Sequence, residues 1–260
     1  MPDDLGGGSV TDHDGHGGRE VNPEFTTTAT TTDEATRRGD VAVLPVGSFE
    51  QHGDHLPLLT DTIVACAIAK AAATAHDLLL LPPVTISCSQ EHTGWPGSVS
   101  IRSSTLARIV TDVAESLRGS GVDRLIVVNG HGGNYVLSNV VQEANVGGRR
   151  MALYPRRQDW ETARREAGLV SSGHDDMHAG EIETSLLLHL SPELVRESYH
   201  AADHCAERPD LLVVGMRGYT DTGVIGAPSL ATASKGKAVL DSLTTSFASA
   251  LAVLRDPAPH

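Results

Sequence analysis

The segment Arg124-Leu125-Ile126-Val127-Val128-Asn129 constrains this chain more than any other. A short, β-branched apolar run bounded by polar residues reads as a strand buried on both faces, and such strands belong to parallel sheets covered by helices. Val41 to Val46 has the same character. Met151 to Tyr154 and Leu211 to Val214 are expected as further strands, and Leu78 to Ile86 as a strand or strand pair broken by Pro82-Pro83. Between them lie helical segments. Asp61 to Thr74 is alanine-rich and free of breakers, and Ser104 to Leu117 is amphipathic, opened by serine and closed by Gly119. Asn134 to Glu143, Gly180 to Leu190, Gly236 to Leu254 and a short stretch from Thr32 to Arg38 complete the set. The alternation predicts an α/β chain: a single compact layered domain, residues 31–256, with a largely parallel sheet flanked by helices.

Met1 to about Thr30 differs in composition. Gly6 to Gly8, the Asp/His/Gly stretch to Gly18 and the threonine run from Thr26 offer little to bury, so residues 1–30 are expected to form a disordered tail. Against 20 Lys and Arg stand 33 Asp and Glu, a net charge of −13 that argues against nucleic acid and anionic membrane as partners. No uninterrupted apolar run approaches the ~20 residues needed to cross a bilayer, and no basic stretch precedes an apolar one in the manner of a secretory signal. Three scattered cysteines make no disulfide framework, which points to the cytoplasm. Thirteen histidines remain to be explained in a chain with few aromatics.

Three segments place polar residues where strands end and helices begin, the position at which layered α/β folds bind ligands. The first is Gly47-Ser48-Phe49-Glu50-Gln51-His52-Gly53-Asp54-His55, with Asp61 at the next helix start. Glu50 and His52, two apart, share one side of an extended segment. With Asp61 they form a mixed O/N donor set suited to Zn²⁺, Mn²⁺ or Fe²⁺. The second, Asn129-Gly130-His131-Gly132-Gly133-Asn134, holds a histidine at a glycine-flanked corner. A phosphate loop is the rival reading, but the lysine and spacing of such loops are missing, so His131 is taken as a ligand. The third, Asp175-Asp176-Met177-His178-Ala179-Gly180-Glu181-Ile182-Glu183, crowds acids and a base at the start of an apolar helix. Glu181 and Glu183 face different sides of that helix, so one of them at most shares a site with His178.

On LPVGSFEQHGDHLPLLTD, VNGHGGN and HAGEIETSLLLHLSPELV, the chain from about Asp40 to Leu254 resembles the creatininase (creatinine amidohydrolase) family. The resemblance implies a two-metal hydrolytic site on a compact α/β fold, with Zn²⁺ the foremost candidate and Mn²⁺ or Fe²⁺ as alternatives. By position, Glu50, His52, Asp61 and His131 correspond to metal ligands, Asp61 as the bridge, and His178 to the acid/base that protonates the departing nitrogen. Creatininase has a metal-binding glutamate at the position of Gly133, for which Glu183 is the expected substitute here. It also has a tyrosine at Gly132 and a tryptophan at His174, so creatinine is not the expected substrate. The NGHGGN form is similar to a wider set that includes a formamide-cleaving enzyme and the peptidase of the mycofactocin system, and Asp221 to Gly236 also resembles the latter. The expected activity is metal-dependent hydrolysis of a linear or cyclic amide; a mycofactocin-type peptidase and a non-catalytic metal-binding protein are the alternatives. Glu91, His92 and Trp95, in SQEHTGWPGS, are expected to line the substrate pocket, and a homo-oligomer, a hexamer in the family, is implied. His55 is expected to support the loop by hydrogen bonding, with His92 and His174 near the site.

Overall fold

The computed structural model describes residues 27–256. Most of the expected tail, with His13 and His16, lies outside the described residues, as does His260. Thr27 onward is described, and Thr30 caps the first helix: its side chain accepts from the Asp33 N–H while Asp33 reaches back to the Thr30 N–H.

Four strands form one sheet in the order β2-β1-β3-β4, every ladder parallel. They are β1 (Val41–Val46), β2 (Leu79–Leu80), β3 (Arg124–Asn129) and β4 (Met151–Tyr154). The helices are α1 (Thr31–Arg37), α2 (Thr60–His76), α3 (Ser103–Gly119), α4 (Val136–Ala144), α5 (Arg157–Glu166), α6 (Glu181–Leu190), α7 (Leu211–Val214) and α8 (Ala233–Arg255). Successive strand residues point to opposite faces, so β1 and β3 feed two cores at once. Val41, Val43, Ile126 and Val128 pack with residues of α2, α6 and α8. Ala42, Leu44, Val46, Leu125 and Val127 pack with Leu106 and Val110 of α3 and Leu137 and Val140 of α4. Helix–sheet–helix layering follows from this double burial, and the fold class is as expected. α8 is long and apolar enough to cross a membrane by length and composition alone. Its Val239, Leu243, Phe247 and Leu251 are instead buried in the first core.

From β1 the chain goes out to β2 on one side, then returns to place β3 on the other. The carboxyl ends of β1 and β3 therefore diverge and leave a crevice between their loops. Two glycines let the start of α2 into that crevice. A Cβ on Gly47 would lie about 1 Å inside the 3.4 Å at which ordinary contact begins, against the Thr62 backbone, and one on Gly130 as far inside against the Asp61 carbonyl.

Three expectations need correction. Leu211 to Val214 is one turn of helix and not a strand: Val213 and Val214 N–H donate to the Asp210 carbonyl, Gly215 N–H to Leu211, and Leu212 and Val213 are 80 % and 84 % exposed. A four-residue apolar run carries no periodicity long enough to separate the two states. Of Leu78 to Ile86 only Leu79–Leu80 is strand, with Val84 bridging Val46 beyond the prolines. Ser104 does not cap α3, whose N-cap is Arg102 without a side-chain bond. α5, a polar helix between β4 and the third motif, had no counterpart in the sequence reading.

Candidate metal centre

Glu50, His52, Asp61, His131, His178 and Glu183 converge in the crevice. The ligand atoms of Glu50, Asp61 and His131 all lie within 4.8 Å of one another, and so do those of His52, His178 and Glu183. Asp61 stands between the two sets. Its Oδ2 is 2.8 Å from His131 Nδ1 and accepts from Ser48 Oγ at 2.7 Å, while its Oδ1 is 3.1 Å from His52 Nε2. Glu183 Oε2 lies 3.9 Å from His52 Nε2 and accepts the Ala179 N–H at 2.6 Å. Glu181 points elsewhere, accepting from Val170 and Ser171 N–H and from Lys235 Nζ. The two glutamates do face different sides.

Backbone carbonyls set the imidazole tautomers, because a carbonyl only accepts. His52 Nδ1–H donates to the Glu50 carbonyl at 3.0 Å, His131 Nε2–H to Cys88 at 2.8 Å, and His178 Nε2–H to Gln51 at 2.7 Å. Each ring thereby turns its other nitrogen toward the carboxylates, the arrangement that orients histidine as a metal ligand. Burial opposes charge on His52, yet the Asp61 carboxylate outweighs it and lifts the imidazole to about 9. Burial likewise opposes charge on His131, and Glu50 and Asp61 together raise it well above the usual value. His178 is the opposite case: burial first, and then the neighbouring His52 and His92 rings, hold it well below the usual histidine value. Burial lifts the Glu183 carboxyl to about 7 despite the pull of His52.

Glu50 decides whether a metal fits. Its side chain is 0 % exposed, and neither carboxylate oxygen receives a hydrogen bond from a described residue. Three imidazole nitrogens face Oε1: His92 Nε2 at 3.1 Å, His131 Nδ1 at 3.2 Å and His178 Nδ1 at 3.9 Å. A dry, unbonded carboxylate among imidazoles is costly without a cation. The donor set, oxygen and nitrogen with no thiolate, suits Zn²⁺, Mn²⁺ or Fe²⁺.

The residues expected in the pocket part company here. His92 is buried against Glu50, and its Nδ1 accepts from the Gln51 amide at 2.9 Å. Glu91 Oε1 lies 3.5 Å from His131 Nε2. Trp95 is half-buried under the Arg217 guanidinium, 4.5 Å from its ring. His55 Nε2 meets the Ala179 carbonyl at 3.1 Å and Thr184 Oγ1 at 3.2 Å, tying the first loop to α6 as a supporting residue. His174 is exposed beside Glu207, outside the centre.

A cavity of about 820 Å³ reaches His131 and Glu183, walled by Trp160 and Arg164 of α5 and by His174 and Arg208. The sequence places His174 near the site, but Trp160, Arg164 and Arg208 were missed. Trp160 and Arg164 are four apart, and recognising α5 as a helix would have put them on one face. Gln51 was missed too. Gly53 N–H donates to its Oε1 while its Nε2 donates to the Gly223 carbonyl, which fixes the amide that holds His92.

Residues 26–251 match the model of the Creatininase family, creatinine amidohydrolase. The chain is 34 % identical over 226 residues to the mycofactocin precursor peptide peptidase of Mycobacterium ulcerans strain Agy99, covering 81 % of this chain and 84 % of that one. It is 29 % identical over 233 residues to creatinine amidohydrolase of Pseudomonas putida, covering 81 % and 88 %. A manganese form of creatininase superposes with a TM-score of 0.76 at 25 % identity, covering 88 % of this chain and 98 % of that structure. With the motifs, the fold and the match over residues 26–251 in agreement, this chain belongs to the creatininase family of amidohydrolases.

Proposed function

We propose that this chain, over residues 31–256, is a metal-dependent hydrolase of a carbon–nitrogen amide bond whose substrate is a peptide. One observation carries the metal dependence: the fully buried Glu50 carboxylate, which takes no hydrogen bond from the described residues, beside an aspartate that faces both His131 and His52. Two divalent ions, Zn²⁺ foremost with Mn²⁺ or Fe²⁺ as alternatives, are assigned to Glu50, Asp61 and His131 on one side and His52, Asp61 and Glu183 on the other. Ions so held supply a water nucleophilic near neutral pH and polarise the amide carbonyl. The chain's own residues do the rest. Asp61 holds both sets in register and Ser48 fixes the Asp61 rotamer; His178, neutral with only its Nδ1 lone pair uncommitted, takes the proton given up by the attacking water and passes it to the departing nitrogen. If Glu183 is ionised by a cation, its position over the Ala179 N–H keeps it aimed at His52.

Two observations favour a peptide of the mycofactocin-precursor type over a small cyclic amide. Identity is higher to the peptidase than to creatinine amidohydrolase, and the cavity of about 820 Å³ at the centre is far larger than a ring of creatinine size needs. The three free cysteines support a cytoplasmic setting, and the exposed Leu212 and Val213 support a homo-oligomer. The test is metal analysis of the purified chain followed by assay against short peptides, formamides and lactams, with and without chelation. Bound transition metal and chelator-sensitive peptide cleavage are expected. Full activity without metal refutes the reading, and bound metal without turnover on any of these substrates points to the non-catalytic alternative.

A further inference from the structure

We propose that Glu91 is a positioning residue of the metal centre, and that residue 133 is glycine to leave room for its carboxylate. The inference rests on the metal reading above. Gly133 is not required by backbone conformation, since its φ is outside the left-handed region. What it supplies is space. A Cβ there would fall about 1 Å or more inside ordinary contact with both Glu91 Oε1 and His131 Nε2, whereas a Cβ on neighbouring Gly132 would meet nothing within 4 Å. The volume a side chain would take at 133 is thus filled from another part of the chain, by a carboxylate whose side chain is only 9 % exposed.

Its position suits an effect on His131. The imidazole presents Nδ1 to Asp61 and Glu50, and its Nε2–H donates to the Cys88 carbonyl. Glu91 Oε1 lies 3.5 Å from that same Nε2, on the side away from Asp61. The carbonyl sets the direction of the N–H, and the carboxylate adds negative charge behind the ring. Partners of this kind fix the ring and raise the basicity of the ligating nitrogen. The short 3-10 turn Gln90–His92 grips the centre twice: Glu91 addresses His131 while His92 addresses Glu50.

The test is zinc affinity of the metal-stripped full chain, measured by competition with a chromophoric chelator. Glu91→Gln keeps the shape and removes the charge, and is expected to weaken zinc binding about 10–100-fold with an unchanged melting temperature. It is also expected to raise the pH at which zinc is half released. Gly133→Ala presses on the Glu91 carboxylate and the His131 ring together and is expected to weaken binding at least as far. Wild-type affinity in Glu91→Gln, or in a Gly133→Ala chain that folds, would overturn the proposal while leaving the metal reading intact. Absence of tight zinc binding by the wild-type chain would overturn both. Should Gly133→Ala fail to fold, the isosteric Glu91→Gln decides alone.

Discussion

Gly130→Ala tests how the fold builds the centre. Residue 130 has an ordinary backbone conformation, so alanine is allowed there and the only obstacle is contact. Its Cβ would press on the Asp61 carbonyl, about 1 Å inside ordinary contact, and touch Ala65 at 3.1 Å. The first obstacle is helix backbone and cannot swing aside. The carboxyl end of β3 and the start of α2 must therefore separate by about 1 Å. Asp61 Oδ2 is 2.8 Å from His131 Nδ1, and a retreat of that size breaks the geometry in which Asp61 faces both His131 and His52. Overpacking of this kind costs about 1–3 kcal/mol, or a melting temperature lower by about 2–4 °C for each kcal/mol in a chain of this length. Misplacement by about 1 Å costs on the order of 10²-fold in rate. Thermal unfolding, zinc titration and the amide assay measure the three losses. Gly132→Ala is the control from the same loop: its Cβ meets open space, so stability is expected within about 0.5 kcal/mol of wild type with zinc affinity retained. A stable Gly130→Ala chain with wild-type zinc affinity would refute the claim that close approach of α2 to β3 sets the site.

Two further substitutions probe the third motif. His178→Ala removes the proposed proton carrier and is expected to lower turnover by about 10²–10⁴-fold. Metal content, measured on the same preparation, stays near wild type; loss of metal would make His178 a ligand instead, a role its place beside His52 and Glu183 also permits. Arg164→Ala strips the guanidinium, 2.9 Å away, from buried Asp176, whose carboxylate also accepts the Glu181 and Ile182 N–H groups at the start of α6. Because those two donors remain, a cost of about 3 kcal/mol is expected in denaturant unfolding, at the low end for breaking a buried pair. Burial already raises the Asp176 carboxyl above its ordinary 3.8 against the pull of Arg164. The folded state therefore binds the extra proton, and Asp176 costs stability as pH rises from about 4 through the raised value. Without Arg164 that loss steepens, and a pH-independent difference between the variant and wild type would count against this account.

Much of the centre was legible in order along the chain, and much was not. Val41–Val46 and Arg124–Asn129 are long enough and apolar enough to declare themselves strands, and their double burial dictates a layered fold. A glycine-bounded polar segment at the end of each then marks where chemistry gathers. The same local logic failed at Leu211–Val214, where four apolar residues carry no period, and across Arg157–Glu166, where a polar helix offers no apolar stripe to read. Glu181 against Glu183 was half legible: helical spacing says they diverge, but only packing says that Lys235 takes one and His52 faces the other.

By itself, then, the sequence determined the family, the layered architecture and the residue types at the centre, because local periodicity and motif spacing are properties of short stretches. Tertiary structure decided what each of those residues does. The tautomers of His52, His131 and His178 depend on carbonyls from elsewhere in the fold or from a neighbouring turn, and the charge on His52 and His131 depends on which carboxylates burial forces against them. Position 133 shows the difference most plainly. In the sequence it is a missing side chain; in the fold it is a space occupied by Glu91, 42 residues away along the chain but in contact across the crevice. Contacts of that range are set by how the layers pack, which no local pattern encodes.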